Sequence, residues 1–389
     1  MFSSRARWNL TPNALSQAIA ARRASGRPFD DLTEGNPTNA GLALPFGDAF
    51  DALSSEPVRR YDPDPRGLTV ARGAVRAYYR SRGYDVAIDR VVLTASTSEA
   101  YGWLFKLLCD AGDEVLVAHP SYPLFDDLAK LEGVSLRSFA LSYEGRWELD
   151  VDALHDAITE RTRAVLLVHP NNPTGSLLSR DAMRAVSSLC GRRGLALVVD
   201  EVFGDYAWTD DPTRAGSAVE VSDALTFTLS GLSKVVAAPQ IKLGWIVAGG
   251  PEDLRYEALA RLEMIADCYL SVSAPAQRAA VAMLGRRDEI QRALQARVAN
   301  NHIAITSRLH EGSRATLLAA DAGWYAVLRV PRTQREDEWV LELLERDDVL
   351  VQPGWFFDFA REAYLVVSLL PREGAFARAI ERMLARVDA

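Results

Sequence analysis

The chain has 389 residues, of which 48% are hydrophobic and 25% are charged, a balance typical of a globular protein with a large core. Acidic residues outnumber basic ones and give a formal net charge of −8, which argues against binding of nucleic acid through a broad basic face. No apolar run reaches the roughly 20 residues of a membrane-spanning helix, and the N-terminus lacks the apolar segment of a secretory signal.

The opening run 1–7 carries Ser and Arg and no acid, as an organelle transit peptide does, but it leads directly into a helix predicted to begin near Thr11. The cysteines Cys109, Cys190 and Cys268 lie in apolar surroundings without the spacing of a metal-binding or redox motif. They are therefore predicted to be reduced thiols in a cytoplasmic protein that has no metal site.

Apolar runs alternate with helical patterns through the first two thirds of the chain. Short, continuously apolar strands between helices predict a mainly parallel sheet that helices cover on both faces. The predicted strands are residues 91–94, 114–118, 164–168, 195–199, 225–229 and 243–248, and the helices among them are residues 98–108, 122–132 and 180–190.

The pattern changes after about Pro275. An amphipathic stretch over residues 277–310 predicts one or two helices, and a final helix is predicted near residues 376–387. Strands are predicted at residues 323–330 and 364–369 between them. The expected organisation is an N-terminal arm contributing to the small domain (1–40), a large domain (41–276) and a small α+β domain (277–389).

Polar loops rich in Gly, Pro and Ser follow five of the predicted strands. Ligands of open α/β sheets bind beyond the carboxyl ends of the strands, so these loops are expected to converge on one site. The loops are residues 94–98, 119–122, 169–175, 200–203 and 230–234.

Two ionisable residues occupy these loops. Lys234 follows a predicted buried strand, and burial lowers the pKa of a lysine amine and makes it nucleophilic toward carbonyl groups. A lysine that extends from a loop into solvent has the same local pattern. Asp200 ends another buried strand, where a carboxylate either pairs with a cation or caps a helix.

Three further features are ambiguous when each is taken alone. The run 171–175 (NNPTG) indicates a turn, and Ser96, Thr97 and Ser98 can cap a helix as well as bind a phosphate at its start. Together with an aromatic ring at Tyr122, the lysine and the aspartate, they match one molecule, pyridoxal 5′-phosphate (PLP). It has an aldehyde, a ring nitrogen, a phenolic oxygen, a phosphate and a flat ring.

In order and over nearly the whole length, these motifs resemble the class I/II aminotransferases, which are PLP enzymes of fold type I. The resemblance implies a mainly parallel, seven-stranded-type sheet sandwiched by helices, with a smaller α+β domain. It implies that Lys234 forms the internal aldimine and moves the proton, that Asp200 pairs with the pyridinium nitrogen, and that Asn172 binds the phenolic oxygen. It also implies stacking of Tyr122 on the ring and phosphate contacts from Ser96, Thr97, Ser98, Lys242 and either Ser230 or Ser233.

The resemblance also extends to the assembly and the substrate. Tyr61, in the run 61–67 (YDPDPRG), resembles the tyrosine that reaches the neighbouring subunit's phosphate, which implies a homodimer. Gly35 and Asn36 lie in the run 34–37 (EGNP), which resembles the N-terminal loop near the substrate.

Three positions depart from the family pattern. Lys242 replaces an arginine that grips the phosphate, and it keeps the charge but not the bidentate geometry. Phe203 replaces a tyrosine whose hydroxyl touches the phenolic oxygen, and loss of that donor is expected to raise the pKa of the aldimine. Val366 replaces the arginine that clamps the substrate α-carboxylate. The candidates to replace that clamp are Arg5, Arg329 and Arg361, and the aromatic residues expected either at the pocket border or in the core are Trp324, Tyr325, Trp355 and Phe356.

The expected function is therefore PLP-dependent transfer of an amino group between an amino donor and a 2-oxo acid. A PLP-dependent lyase or decarboxylase of the same fold is the alternative, which the missing carboxylate arginine keeps open. A PLP-binding regulator would need a DNA-binding module, for which there is no room before Thr11 and the charge balance is wrong. A non-catalytic scaffold is disfavoured because Lys234, Asp200 and Asn172 are all present.

Overall fold

The computed structural model describes residues 1–361 and 363–389, apart from the side chain of Asp48. The α-helices are α1 Ala14–Ala24, α2 Thr69–Ser81, α3 Thr97–Leu108, α4 Phe125–Glu132, α5 Val151–Ala157, α6 Arg180–Arg193, α7 Leu232–Val235, α8 Glu252–Asp267, α9 Ala274–Gly285, α10 Arg287–Thr306, α11 Glu336–Arg346 and α12 Glu373–Asp388. The strands are β1 Asp30–Asp31, β2 Val91–Thr94, β3 Glu114–His119, β4 Ser135–Tyr143, β5 Trp147–Leu149, β6 Thr162–Val168, β7 Ala196–Asp200, β8 Thr226–Gly231, β9 Gly244–Gly249, β10 Thr316–Leu317, β11 Tyr325–Arg329, β12 Val349–Leu350, β13 Gln352–Pro353 and β14 Tyr364–Ser368.

The large sheet has the order β2-β9-β8-β7-β6-β3-β4-β5. Strands β4, β3, β6, β7 and β8 are parallel to one another, whereas β9 runs antiparallel to both β8 and β2. The predicted α/β fold with a seven-stranded, mainly parallel sheet is thus confirmed. The short β5 extends its edge as a hairpin with β4.

Side chains of the central strands alternate between two layers of helices, as the pleat of a strand requires. Val198 and Leu166 pack on one face against α3 and α8, and Leu197 and Val165 pack on the other face against α5 and α6. Because both faces are covered, every residue of β7 and β8 is buried. This burial explains the continuous apolar runs in the sequence.

The C-terminal part of the chain builds a second, antiparallel sheet with the order β10-β11-β14-β13. The N-terminal arm joins this part, since β1 pairs in parallel with β12. We keep 1–40, 41–276 and 277–389 as proposed domain limits, and the pairing of β1 with β12 supports the assignment of the arm.

Several element boundaries differ from the predictions. Helix α1 begins at Ala14 instead of near Thr11, because the Asn13 side chain accepts a hydrogen bond from the backbone N–H of Ser16 and caps the helix there. The stretch 277–310 is two helices, separated at Arg286, whose backbone leaves the helical region. Among the described helices, none is long and apolar enough to cross a membrane.

Candidate active site

The five polar loops lie at one edge of the large sheet. Strands β3, β6, β7 and β8 are parallel, so the loops after them share an edge. Strand β2 runs in the same direction as β8, because β9 is antiparallel to both. The start of α3 therefore lies at this edge as well, and the expected convergence follows from the strand directions.

Lys234 and Asp200 belong to one buried site at this edge. Asp200 is the last residue of β7, and Lys234 lies on the short helix α7 that follows β8. Burial lowers the pKa of the Lys234 amine to about 8, although the negative charge of Asp200 opposes the shift. At neutral pH a fraction of this amine is therefore uncharged and nucleophilic.

The Asp200 carboxylate is held by two hydrogen bonds. Oδ2 accepts one from the Tyr101 hydroxyl at 2.5 Å, and Oδ1 accepts one from the backbone N–H of Val202 at 2.9 Å. Burial raises the pKa of Asp200 to about 6, whereas both hydrogen bonds and the charge of Lys234 lower it. The sequence analysis missed Tyr101. Its place one helical turn after Thr97 on α3 was the available signal.

We expect Tyr101→Phe to raise the pKa of Asp200 by about one pH unit, because a hydrogen bond that favours the carboxylate is lost. A carboxylate that must be ionised for activity then loses its charge at a higher pH. The acid limb of the kcat/KM profile should accordingly move to higher pH. Tyr79→Phe, which changes an equally buried tyrosine, is the control; an unmoved acid limb in Tyr101→Phe would contradict this role.

Two adjacent asparagines have different tasks. The Asn171 side chain donates to the carbonyl of Pro120 at 3.0 Å and to Thr174 Oγ1 at 2.9 Å, and so holds the loop together. Asn172 is also buried, but its Oδ1 has no hydrogen-bond partner in the described part of the chain. A buried amide without a partner is unfavourable, so a ligand group here would satisfy it. This difference supports Asn172 as the ligand-binding residue of the pair.

The start of α3 packs closely against β8 and β9. A Cβ atom on Gly244 would lie 3.1 Å from the carbonyl carbon of Ser96, and one on Gly231 would lie 3.1 Å from the Cα of Gly244. A side chain at either position would therefore crowd the backbone where these three segments meet. The Ser96 hydroxyl caps α3 by accepting from the N–H of Glu99 at 3.1 Å.

The other predicted phosphate residues lie around this junction. Thr97 and Ser98 are the half-buried first residues of α3, where free backbone N–H groups attract an anion. Ser230 is buried and Ser233 half-buried, on β8 and α7 respectively. Lys242 is exposed and lies two residues before β9. It is close in sequence to the same junction, because Gly244, the first residue of β9, pairs with Thr94 on β2 and with Gly231 on β8.

Aromatic residues surround the lysine. Tyr122 is half-buried, and burial together with the charge of Asp200 raises its pKa. The Phe203 ring lies 5.5 Å from Lys234 Nζ and contacts the Tyr325 ring edge-on at 6.3 Å between centroids. The N-terminal loop that contains Gly35 contacts Tyr325. A Cβ atom on Gly35 would lie 2.5 Å from the Tyr325 hydroxyl oxygen.

Two of the predicted site residues do not join the residues around Lys234 and Asp200. The Asn36 side chain accepts hydrogen bonds from the backbone and the hydroxyl of Thr38, so its oxygen serves its own loop. Tyr61 is 81% exposed on the single chain.

The position of Val366 is apolar. Val366 is fully buried and packs in one cluster with Trp147, Val327 and Phe357. The three arginines considered as substitutes, Arg5, Arg329 and Arg361, are all exposed. Of the four aromatic residues of uncertain place, Trp324 is fully buried beside Lys234 and Tyr325 is half-buried, whereas Trp355 and Phe356 are exposed.

Two residues that the sequence analysis missed anchor helix α7. The Tyr206 hydroxyl donates to the carbonyl of Lys234 at 2.7 Å, and the Gln291 side chain donates to the carbonyl of Val235 at 2.8 Å. These partners lie 28 and 56 residues apart in sequence, so no local pattern indicated them.

Comparison with known proteins gave concordant matches. The family described as "Aminotransferase class I and II" matches residues 29–381. The chain is 28% identical to the glutamate-pyruvate aminotransferase AlaA of Escherichia coli (strain K12), over 88% of this chain and 86% of that protein. It is also 28% identical to the alanine aminotransferase of Mycobacterium tuberculosis (strain ATCC 25618 / H37Rv), over 94% of this chain and 87% of that protein. The structure of an alanine aminotransferase from Pyrococcus furiosus superposes with a TM-score of 0.89 at 25% identity, covering 100% of this chain and 99% of that one.

Proposed function

The chain belongs to the class I and II aminotransferases, enzymes that transfer amino groups, and we propose that it does so with PLP bound between Lys234 and Asp200. The observation that carries the proposal is the buried lysine amine that shares a site with a buried carboxylate at the ligand-binding edge of the sheet.

The residues present fit this cofactor. We assign the aldehyde to Lys234, the ring nitrogen to Asp200, the phenolic oxygen to Asn172 and the ring face to Tyr122. Two structural features support the fit: the start of α3 is lined by glycine, and the Oδ1 of the Asn172 amide has no partner in the described residues, so the amide can turn its NH2 group to donate to a phenolate oxygen. The phosphate contacts are assigned to Ser96, Thr97, Ser98, Ser230, Ser233 and Lys242. When bound, PLP supplies an electron sink for the carbon atom next to the donor's nitrogen.

The chain's own groups then divide the work. With the cofactor bound, Lys234 Nζ would accept the proton from the amine-bearing carbon of the donor and deliver it to the cofactor carbon that had carried the aldehyde oxygen. Asp200, oriented by Tyr101, keeps a proton on the ring nitrogen through its negative charge. The buried rings of Phe203 and Trp324 exclude water from the amine.

The apolar surroundings of Val366 bear on the donor. An α-carboxylate bound there would lie against Trp147 and Phe357 without a cation, which is unfavourable. We therefore propose that the donor's carboxylate, if it has one, is held elsewhere. Gly35 remains a proposed substrate contact through its place against Tyr325, and Asn36 contributes its backbone segment.

A panel of donors tests the function. The purified enzyme with PLP is incubated with amines that have or lack an α-carboxylate, each with and without a 2-oxo acid. Transamination requires the acceptor and yields one new amino acid for each donor consumed. Without an acceptor, a transaminase releases at most one keto product per cofactor, so keto product in excess of the cofactor, or carbon dioxide, would instead indicate a lyase or decarboxylase. Borohydride treatment followed by peptide mass spectrometry should find the cofactor attached to Lys234.

We also propose a homodimer in which Tyr61 contacts the phosphate in the other subunit. The exposed Tyr61 lines a cavity with Trp103 and the segment 270–275, which leaves it available to a second copy. The hydroxyl of Ser271 in that segment donates to Glu99 on α3 at 2.7 Å and so connects the cavity to the predicted phosphate site. For the chain's location we propose the cytoplasm, which the free thiols of its three cysteines support.

We expect Tyr61→Phe to weaken PLP binding about 10- to 100-fold, as for loss of a hydrogen bond to a charged group. Spectral titration of the cofactor-free enzyme measures this affinity, and Tyr256→Phe is the control at another exposed tyrosine. A mixed dimer of Tyr61→Phe with Lys234→Ala decides between subunits. If Tyr61 acts across the interface, this dimer contains one normal site; if it acts within its own chain, it contains none.

A further inference from the structure

The amine of Lys234 lies beside two buried aromatic rings. Its Nζ is 5.5 Å from the centroid of the Phe203 ring and 5.0 Å from that of Trp324. Both distances are within the range of roughly 6 Å over which a ring face attracts a cation. Phe203 is 3% exposed and Trp324 is fully buried, so water screens this attraction little.

The two rings are fixed by their neighbours. Phe203 and Trp324 meet edge-on with centroids 5.3 Å apart, and Tyr206 meets Trp324 edge-on at 4.9 Å. The Tyr206 hydroxyl donates to the backbone carbonyl of Lys234. The same cluster therefore holds both the rings and the backbone that carries the amine.

The indole N–H of Trp324 makes no hydrogen bond within the described residues, although the backbone carbonyl of Trp324 accepts one from the N–H of Leu369. Trp324 Nε1 is buried and has no partner in residues 1–361 and 363–389. An indole N–H that is left unpaired is unfavourable compared with an apolar ring. What Trp324 contributes at this place is therefore the face of its ring.

Few charged groups face the amine. Asp200 on β7 is the group whose charge acts on Lys234, and its two oxygens are already hydrogen-bonded to Tyr101 and Val202. The phenols nearby are Tyr206, engaged with the lysine carbonyl, and Tyr122 and Tyr325 across the site. In the proposed reaction Asp200 also serves the cofactor's ring nitrogen, so a free lysine ammonium needs another source of stabilisation.

We propose that Phe203 and Trp324 form an aromatic clamp that stabilises and positions the ammonium group of Lys234 whenever this amine is not bonded to the cofactor. The clamp's use in catalysis rests on the proposed function, because Lys234 becomes an ammonium when it accepts the donor's proton. The clamp itself is a property of the chain, so it is tested without cofactor and without turnover.

The test is the titration of the Lys234 amine in the full-length, cofactor-free enzyme. The rate of reductive methylation of Lys234 is followed by peptide mass spectrometry as a function of pH. The chain's other lysines, Lys106, Lys130 and Lys242, are internal references in every sample. The variants are Trp324→Leu, Trp324→Phe and Phe203→Leu, and Trp339→Leu is the control for a buried tryptophan outside the site.

We expect Trp324→Leu to lower the pKa of Lys234 by about 0.5 to 1.5 pH units, because a ring face that favours the ammonium is lost. Trp324→Phe, which keeps a ring, should lower it less, and Trp339→Leu should leave it unchanged. The direction of the pKa change distinguishes an aromatic clamp from a tryptophan that only fills space. If the tryptophan only filled space, its removal would admit water, which favours the charged amine and raises the pKa.

An unchanged or raised pKa in Trp324→Leu would overturn the proposal, and so would equal shifts in Trp324→Leu and Trp324→Phe. Circular dichroism and thermal unfolding establish that each variant is folded. If Trp324→Leu does not fold, the proposal is tested with Phe203→Leu and Trp324→Phe. An unchanged pKa of Lys234 in both of these variants would overturn the proposal. A failure of PLP to attach to Lys234 would contradict the proposed function and leave this titration interpretable.

Discussion

Lys234→Ala is expected to lower kcat by at least about 10²- to 10⁴-fold, since the group that moves the proton is removed. The variant should also lose all cofactor attachment after borohydride treatment, because Lys242, the other lysine assigned to the site, is exposed and is assigned to the phosphate and not to the aldehyde. The structural reason is that the Lys234 amine shares its buried surroundings with Asp200 and has a pKa lowered to about 8, which keeps a fraction of it nucleophilic.

Lys130→Ala is the matched control for this experiment. Lys130 lies on α4, and its Nζ donates to the carbonyl of Arg7, far in sequence from the site. We expect this variant to keep its turnover and its borohydride-dependent labelling. Full activity in Lys234→Ala, or labelling that moves to Lys242, would show that the wrong lysine has been assigned.

The second large effect concerns Asp200→Asn, which we expect to lower kcat about 10²- to 10³-fold, as for removal of a preorganised electrostatic contact. The amide has the same shape as the carboxylate but cannot hold a proton on the ring nitrogen by charge. Measurement of single-turnover rates with a donor identified in the panel separates this effect from substrate binding.

The same substitution should stabilise the cofactor-free enzyme. Burial raises the pKa of Asp200 to about 6, above the ordinary value of 3.8, so the folded state disfavours the ionised form. The buried charge of Asp200 therefore lowers the free energy of unfolding. This loss of stability is absent below about pH 3.8, grows as the pH rises toward 6, and is complete above pH 6. At pH 7 the thermal midpoint of Asp200→Asn should therefore exceed that of the wild type, and the gain should diminish at lower pH.

Glu201→Gln is the control for the loss of kcat. Glu201 is the next residue and is also buried, but its carboxylate accepts hydrogen bonds from Ser217 and the N–H of Ala218 at 2.6 Å each. It points to these groups and not to the lysine, so we expect little change in kcat. A large loss of kcat in Glu201→Gln, or a normal rate in Asp200→Asn, would contradict the assignment of Asp200.

Much of the fold was predictable because its information is local. Strands that are buried on both faces must be apolar at every position, so the runs that became β2, β3, β6, β7, β8 and β9 were recognisable without any partner. Lys234 and Asp200 were recognisable for a related reason. A charged residue directly beyond such a strand is unusual, and the loops after parallel strands share one edge.

The surroundings of these residues depended on contacts that no local pattern contains. Tyr101 reaches Asp200 from 99 positions away, and the sequence around Tyr101 is that of an ordinary helix. Asn171 and Asn172 are neighbours of the same type. Only the packing of the loop against Pro120 assigns Asn171 to structure, while the Oδ1 of Asn172 has no partner in the part of the chain that the structure describes.

By itself, the sequence predicted the α/β architecture and the edge at which the polar loops meet, because these follow from hydrophobic period and strand order. Lys234 and Asp200 were predicted from their places after buried strands together with the family resemblance. The tertiary structure alone decided that Val366 lies in an apolar cluster and that Trp324 stands 5.0 Å from the lysine amine. Trp324 directly precedes β11 of the second sheet, whereas Lys234 lies on α7 after β8 of the large sheet and 90 positions earlier. Such a meeting is set by how the two parts of the chain pack, which depends on side chains throughout both.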